Sequence, residues 1–215
     1  TMPASAAAME AALARVGVRP VLRLTGPDGQ RAEGVQIRMF HNKGVSLVAL
    51  HQDLPNAGQR AVELTLAQPA LLRDLRGREG FVPAGTMRLT LDGVAPTILA
   101  VAPAPLPPAA LSGPAGLHAG ESGTWHVALA GTSPANAHAV RVEVSDPAGR
   151  SAPLYSGMLV LRGNAEWTVP FAENDPAGRW TIRLYDALGG GTAELAVELN
   201  PASAPAASHA PPAPR

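Results

Sequence analysis

"DPAGRWTIRLYDALGGGTAELAVEL", residues 175–199, decides how the rest of the chain is read. Trp180, Ile182 and Leu184 alternate with Thr181, Arg183 and Tyr185, the two-residue period of a half-buried strand. "DALGGG" follows as a turn and "TAELAVEL" as a second strand, so the stretch is a hairpin fed by the "DPAG" turn at 175–178. Its glycines at 189–191 join two strands and open no helix, so they make no phosphate cradle. The stretch is scaffold.

Working outward, the same period recurs. "GTWHVALAG" places Trp125, Val127 and Leu129 on one face, and "AEWTVPF" does so for Trp167, Val169 and Phe171. Each tryptophan is thus expected in a core. "AVRVEVSDPAGRSAP" alternates Val140, Val142 and Val144 with Arg141 and Glu143, and "LYSGMLVL" adds another strand. About seven strands in roughly 85 residues is the size of an immunoglobulin-like sandwich, expected over 115–199.

Upstream, "APAPLPPAALSGP" breaks the pattern, and its prolines predict a semi-rigid linker over 103–114. Residues 18–102 again read as about seven short strands spaced by turn signals, which predicts a first β-sandwich. "GVQIRMF" puts Val35, Ile37 and Met39 on one face, and "HNKG" (41–44) is a hairpin turn with Asn42 or Gly44 left-handed. Residues 1–17 hold a short helix over 5–16, with Ser5 as N-cap and Gly17 at its end. The Pro/Ala tail 200–215 is low in complexity and is expected to be disordered. The fold class expected is therefore all-β: two tandem antiparallel β-sandwich domains of immunoglobulin-like type behind a short N-terminal helix.

Composition narrows the function. Across 215 residues, 17 basic and 17 acidic side chains cancel, so there is no basic footprint for nucleic acid. Without cysteine there is no disulfide, thiolate metal site or cysteine nucleophile. No apolar run reaches the roughly 20 residues of a membrane helix, so membrane insertion is not expected. The N-terminus lacks the layout of a signal peptide, and Thr1 ahead of Met2 suggests a segment of a longer chain.

No reactive constellation emerges, and no catalytic, cofactor-binding or metal-binding residue is assigned. The six histidines show no ligand spacing, with His138 and His209 assigned to loop and tail. Asp74, Glu79 and Asp92 are the carboxylates that a glycosidase would need, but the first two sit among arginines in "LRDLRGRE", as in a solvated hairpin. Glu173, Asn174 and Asp175 resemble a calcium loop only weakly, and a turn accounts for them. Ser156 lacks the nucleophile-elbow frame. Tyr155, Tyr185, Phe40 and Phe81 are the aromatics left for stacking on sugar, a sparse platform.

Arg38, Phe40, Asn42 and Gly44 spell "R-x-F-x-N-x-G", and a later "P-T-I-L-A" strand follows a "D-x-x-x-G"-like hairpin. Over about residues 8–103 this resembles the C-terminal β-domain of family-42-like bacterial β-galactosidases and related glycoside hydrolases. The "D-x-x-G-x-W" of the second half is similar to bacterial immunoglobulin-like repeats. The resemblance implies a noncatalytic accessory region of an exported carbohydrate-active enzyme, extracellular or periplasmic, whose partner is a missing upstream catalytic domain or another protein. It implies no cofactor, and polysaccharide is the further ligand class. The alternative is a free-standing immunoglobulin-like adhesion or protein-interaction module of the cell envelope.

Overall fold

The computed structural model describes residues 2–53, 58–77, 80–130 and 136–202, with side chains from residue 8 onward. Glu79, His209 and residues 203–215 of the expected tail lie outside the described residues. Two compact units divide between Leu106 and Pro107.

The first unit opens with helix α1 (Met2–Arg15). It begins before Ser5, which is therefore not its cap. Gly17 ends it at φ +81°: Val18 N–H donates to Leu13 O at 2.9 Å and Gly17 N–H to Ala14 O at 3.1 Å. This pair of bonds closes the helix on a left-handed residue that glycine adopts without steric cost.

Six strands follow: β1 (Leu22–Thr25), β2 (Val35–Asn42), β3 (Val45–Gln52), β4 (Arg60–Asp74), β5 (Val82–Leu91) and β6 (Thr97–Ala102). They form one antiparallel sheet in the order β1-β4-β6-β3-β2, with β5 also against β4. The β2–β3 turn is a two-residue loop in which Lys43 and Gly44 both take positive φ, +41° and +95°. That geometry matches the twist of the flanking strands and leaves Asn42 in β2.

Strand β4 is 15 residues long and serves two neighbours. Glu63–Leu66 pair with β1, Leu71–Asp74 pair with β6, and β5 follows both parts, with a register shift between Thr65 and Ala70. Pro69 falls within this strand. A proline cannot donate to a ladder, but an irregularity absorbs it, and the strand bends instead of ending. The bent sheet curls until Leu24, Leu50, Leu64, Leu72, Leu91 and Leu99 meet in one core. Among the described residues the first unit is thus a sandwich made from a single curled sheet of six strands rather than seven.

Among its described residues the second unit has eight strands: β7 (Ala109–Ser112), β8 (Gly116–His118), β9 (Ser122–Leu129), β10 (His138–Ser145), β11 (Gly157–Leu161), β12 (Asn164–Pro170), β13 (Gly178–Asp186) and β14 (Thr192–Asn200). Five form a sheet in the order β11-β10-β13-β14-β8, and three form its partner, β12-β9-β7. Residues 109–112, expected within the linker, are strand β7, because Ala109 is buried and Leu111 packs on the core while the backbone pairs with β9. The chain then switches sheets, and β8 runs parallel to β14. Three-residue and four-residue strands are too short to show a period, so periodicity passes over both.

Trp125 and Trp180 are buried, and Trp167 is half-buried opposite Trp125 in the β9–β12 ladder. Two glycines make room for Trp125. A Cβ at Gly113 would lie 2.5 Å from its Cδ1, and one at Gly123 would collide with its Cη2 and with Leu117. Trp180 Nε1–H donates to Pro176 O at 2.9 Å, four residues back.

Candidate functional site

The polar site built most deeply into the fold is a pair that the sequence reading assigned wrongly. His138 is not a loop residue. It opens β10 in the same inward phase as Val140, Val142 and Val144, and it is buried. Asp186 ends β13 in phase with Trp180, Ile182 and Leu184, and it is also buried. The β10–β13 ladder sets Val140 opposite Asp186, one inward position from His138. His138 Nδ1–H donates to Asp186 Oδ2 at 2.7 Å, across 48 residues of sequence. The signal was the period itself: counting by two from Val140 back and from Leu184 forward reaches both residues.

Asp186 also shapes the β13–β14 turn. Its Oδ1 accepts Leu188 N–H at 3.0 Å, its backbone O accepts Gly190 N–H at 2.7 Å, and its N–H donates to Gly191 O at 2.9 Å. A Cβ at Gly189 would strike the carboxylate, so the turn needs glycine there. The carboxylate therefore joins the start of β10 to the β13–β14 hairpin.

A histidine whose Nδ1–H is held by a carboxylate has the tautomer of a general base, with the Nε2 lone pair free. Here Nε2 is buried and has no hydrogen-bond partner among the described residues. Proton transfer needs the reacting atom within hydrogen-bond reach, and this nitrogen is closed to any substrate. The geometry is that of an internal clamp.

The remaining candidates are spread out. Asp74 Oδ1 accepts Arg76 N–H at 2.9 Å, and Asp92 Oδ1 accepts Val94 N–H at 2.7 Å and Ala95 N–H at 2.9 Å. The N–H of Ala95, then that of Val94, hold the Asp92 carboxyl below the usual range. Both are turn residues. His41 and His51 lie on adjacent strands, with Ser46 and Gln36 as their register partners. They are thus five positions apart, roughly 17 Å, too far to share a ligand. His118 Nδ1–H donates to Pro201 O at 3.0 Å, and His126 stands 3.5 Å from Glu166. Among the described residues, no group of three or more His, Asp or Glu side chains could hold a metal. No helix among them is long and apolar enough to cross a membrane.

Asp175 has a structural partner. Tyr155 O–H donates to its Oδ2 at 2.6 Å, and Ala172 N–H donates to the same oxygen at 2.7 Å. The Tyr155 ring packs edge-on to Phe171 at 5.5 Å and tilted to Trp180 at 5.9 Å. Burial, reinforced by the bond to Asp175, pushes the phenol above the usual tyrosine range. A raised value in the folded state means that the folded protein holds this proton more tightly. The resulting stabilisation is complete below about pH 10 and is lost as pH rises through the folded value. Tyr155→Phe should therefore weaken the alkaline fall in the unfolding midpoint above about pH 10. It should also cost about 1 kcal/mol at neutral pH, read by urea denaturation.

No protein-family model and no curated protein matches the chain. Among solved structures it is similar to the FN1–FN3 domains of chicken CNTN1, at 10% identity and a TM-score of 0.30, over 84% of this chain and 66% of that one. A superposition that loose bears no weight, and the all-β sandwich assignment rests on the strand order above.

Proposed function

We propose that this chain is a noncatalytic accessory region whose two β-sandwich units serve a larger exported carbohydrate-active enzyme. The observation that carries the reading is the apolar face of α1. Met9 and Leu13 lie one helical turn apart and are both exposed, and Val16, Val18 and Val21, beyond the end of α1, continue the exposure toward β1. A helix with an apolar stripe gains stability by burying it, so this face is suited to a protein body. The "R-x-F-x-N-x-G" of the β2–β3 hairpin supports a glycoside hydrolase as that body, with Phe40 exposed there. The buried His138, the turn-bound Asp74 and Asp92, and the Tyr155-bound Asp175 support a noncatalytic role.

An antibody raised against the chain provides the test. Applied to secreted and envelope fractions of the source cells, it should capture a species much larger than 22.0 kDa. That species should hydrolyse chromogenic β-galactosides, while the purified chain does not. Capture of a 22.0 kDa species without hydrolase activity would overturn the reading. It would favour the free-standing interaction module, to which the uncharged edge strand β11 also points.

A further inference from the structure

We infer that β11 is a self-association edge, across which two copies of this chain join their five-stranded sheets about a twofold axis. The inference is independent of the accessory reading.

β11 is the terminal strand of its sheet, paired with β10 on one side and with no described strand on the other. Alternate residues of a strand direct N–H and C=O to opposite sides, so its open side presents unpaired backbone groups. Protein edges are normally blunted by charge, proline or a bulge. "GMLVL" contains none of the three, and its pairing with β10 runs without a register shift from Val142–Gly157 to His138–Leu161. Gly157 does not mark a bulge either. It makes room for Trp167, whose Cη2 would lie 2.7 Å from an added Cβ. The outward side chains are apolar and solvated: Met158 is 60% exposed and Val160 68%. Leu154, just before the strand, is 95% exposed.

The choice of a second copy follows from register and charge. Antiparallel pairing centred on Leu159 sets Met158 against Val160 of the other copy, twice, and Gly157 against Leu161. Ser156, its hydroxyl held by Val144 N–H and Ala152 O, then stands opposite Arg162 in the register, so no like charges oppose. Arg141, beside Met158 in the β10 ladder, is already neutralised by Glu143 at 2.8 Å. Four apolar side chains thereby cover one another on the outer face. A twofold contact of this kind is self-complementary and closes on itself, as dimers do. Five residues a side bury less than the roughly 800 Å² per partner of a standard interface, so a weak, concentration-dependent dimer is expected.

Sedimentation equilibrium of the full chain from about 20 µM to 1 mM should show a monomer–dimer equilibrium. In spectra of isotope-labelled protein, the amides of residues 157–161 should shift with concentration. Val160→Lys should leave a folded monomer at every concentration, its fold checked by tryptophan emission. Met158→Lys/Val160→Lys and Met158→Glu/Val160→Glu should each be monomeric alone and dimerise when mixed, because only the mixture sets opposite charges face to face. A wild-type monomer at the highest concentration would overturn the inference. So would a dimer that survives Val160→Lys, or one abolished by Leu13→Glu on α1 instead. The last outcome would also give the α1 face to a second copy and so remove the observation on which the accessory reading rests.

Discussion

Asp186→Ala is expected to destabilise the second unit by about 3 kcal/mol, against the 5–15 kcal/mol typical of a domain. The size follows from what is stranded. With the carboxylate gone, His138 keeps its buried position but loses its one partner, and its Nε2 already has none among the described residues. The bond from Leu188 N–H to the carboxylate is lost at the same time, in a turn held shut by Asp186. An unmet buried polar group such as the stranded His138 ring costs about 1–3 kcal/mol, and the lost turn bond adds to it. Asp186→Asn should cost less, since its side-chain carbonyl can still accept from Leu188. Replacing both partners by leucine should recover part of the loss, because a buried polar pair is worth little beyond an apolar pair of similar volume. All three tryptophans lie between residues 125 and 180, so their fluorescence in urea reports the second unit selectively. A loss below about 1 kcal/mol for Asp186→Ala would mean that the pair is not a clamp.

Trp125→Ala is expected to cost about 3–5 kcal/mol, enough to leave the unit marginal. The indole is fully buried, touches Phe171 edge-on with centroids 6.4 Å apart, and donates to Pro114 O at 3.2 Å. Its walls include the backbone at Gly113 and Gly123, which carry no side chain to swing into the vacated space. The hole therefore stays open, and cavity cost adds to lost burial. Trp167→Ala should cost less, since that ring is only half-buried. Urea midpoints of the two variants, read on the remaining tryptophans, test the order. If Trp167→Ala were the more damaging, the sheet interior would not be organised around Trp125.

The strands of 122–129, 138–145, 164–170 and 178–186 were legible because each carries three or more inward residues at period two. The same count contained His138 and Asp186, but both residue types suggest surface, so the pattern was overruled by composition. The passage of β4 through Pro69 was not legible, because proline marks a turn far more often than a bend within a strand. β7 and β8 were hidden in a proline-rich stretch, where four and three residues carry too little alternation to register.

By itself the sequence determined the strand phases, the inward side of Trp125 and Trp180, and the glycine that ends α1, since each depends on neighbours within a few residues. Only the tertiary structure decided that one sheet curls while the other unit divides into two. It also decided that His138 meets a carboxylate 48 residues away and that β11 is left with an open side. Those outcomes depend on which strands share a ladder. Pairing is settled by burial and backbone hydrogen bonds between distant segments, and a local period carries no record of them.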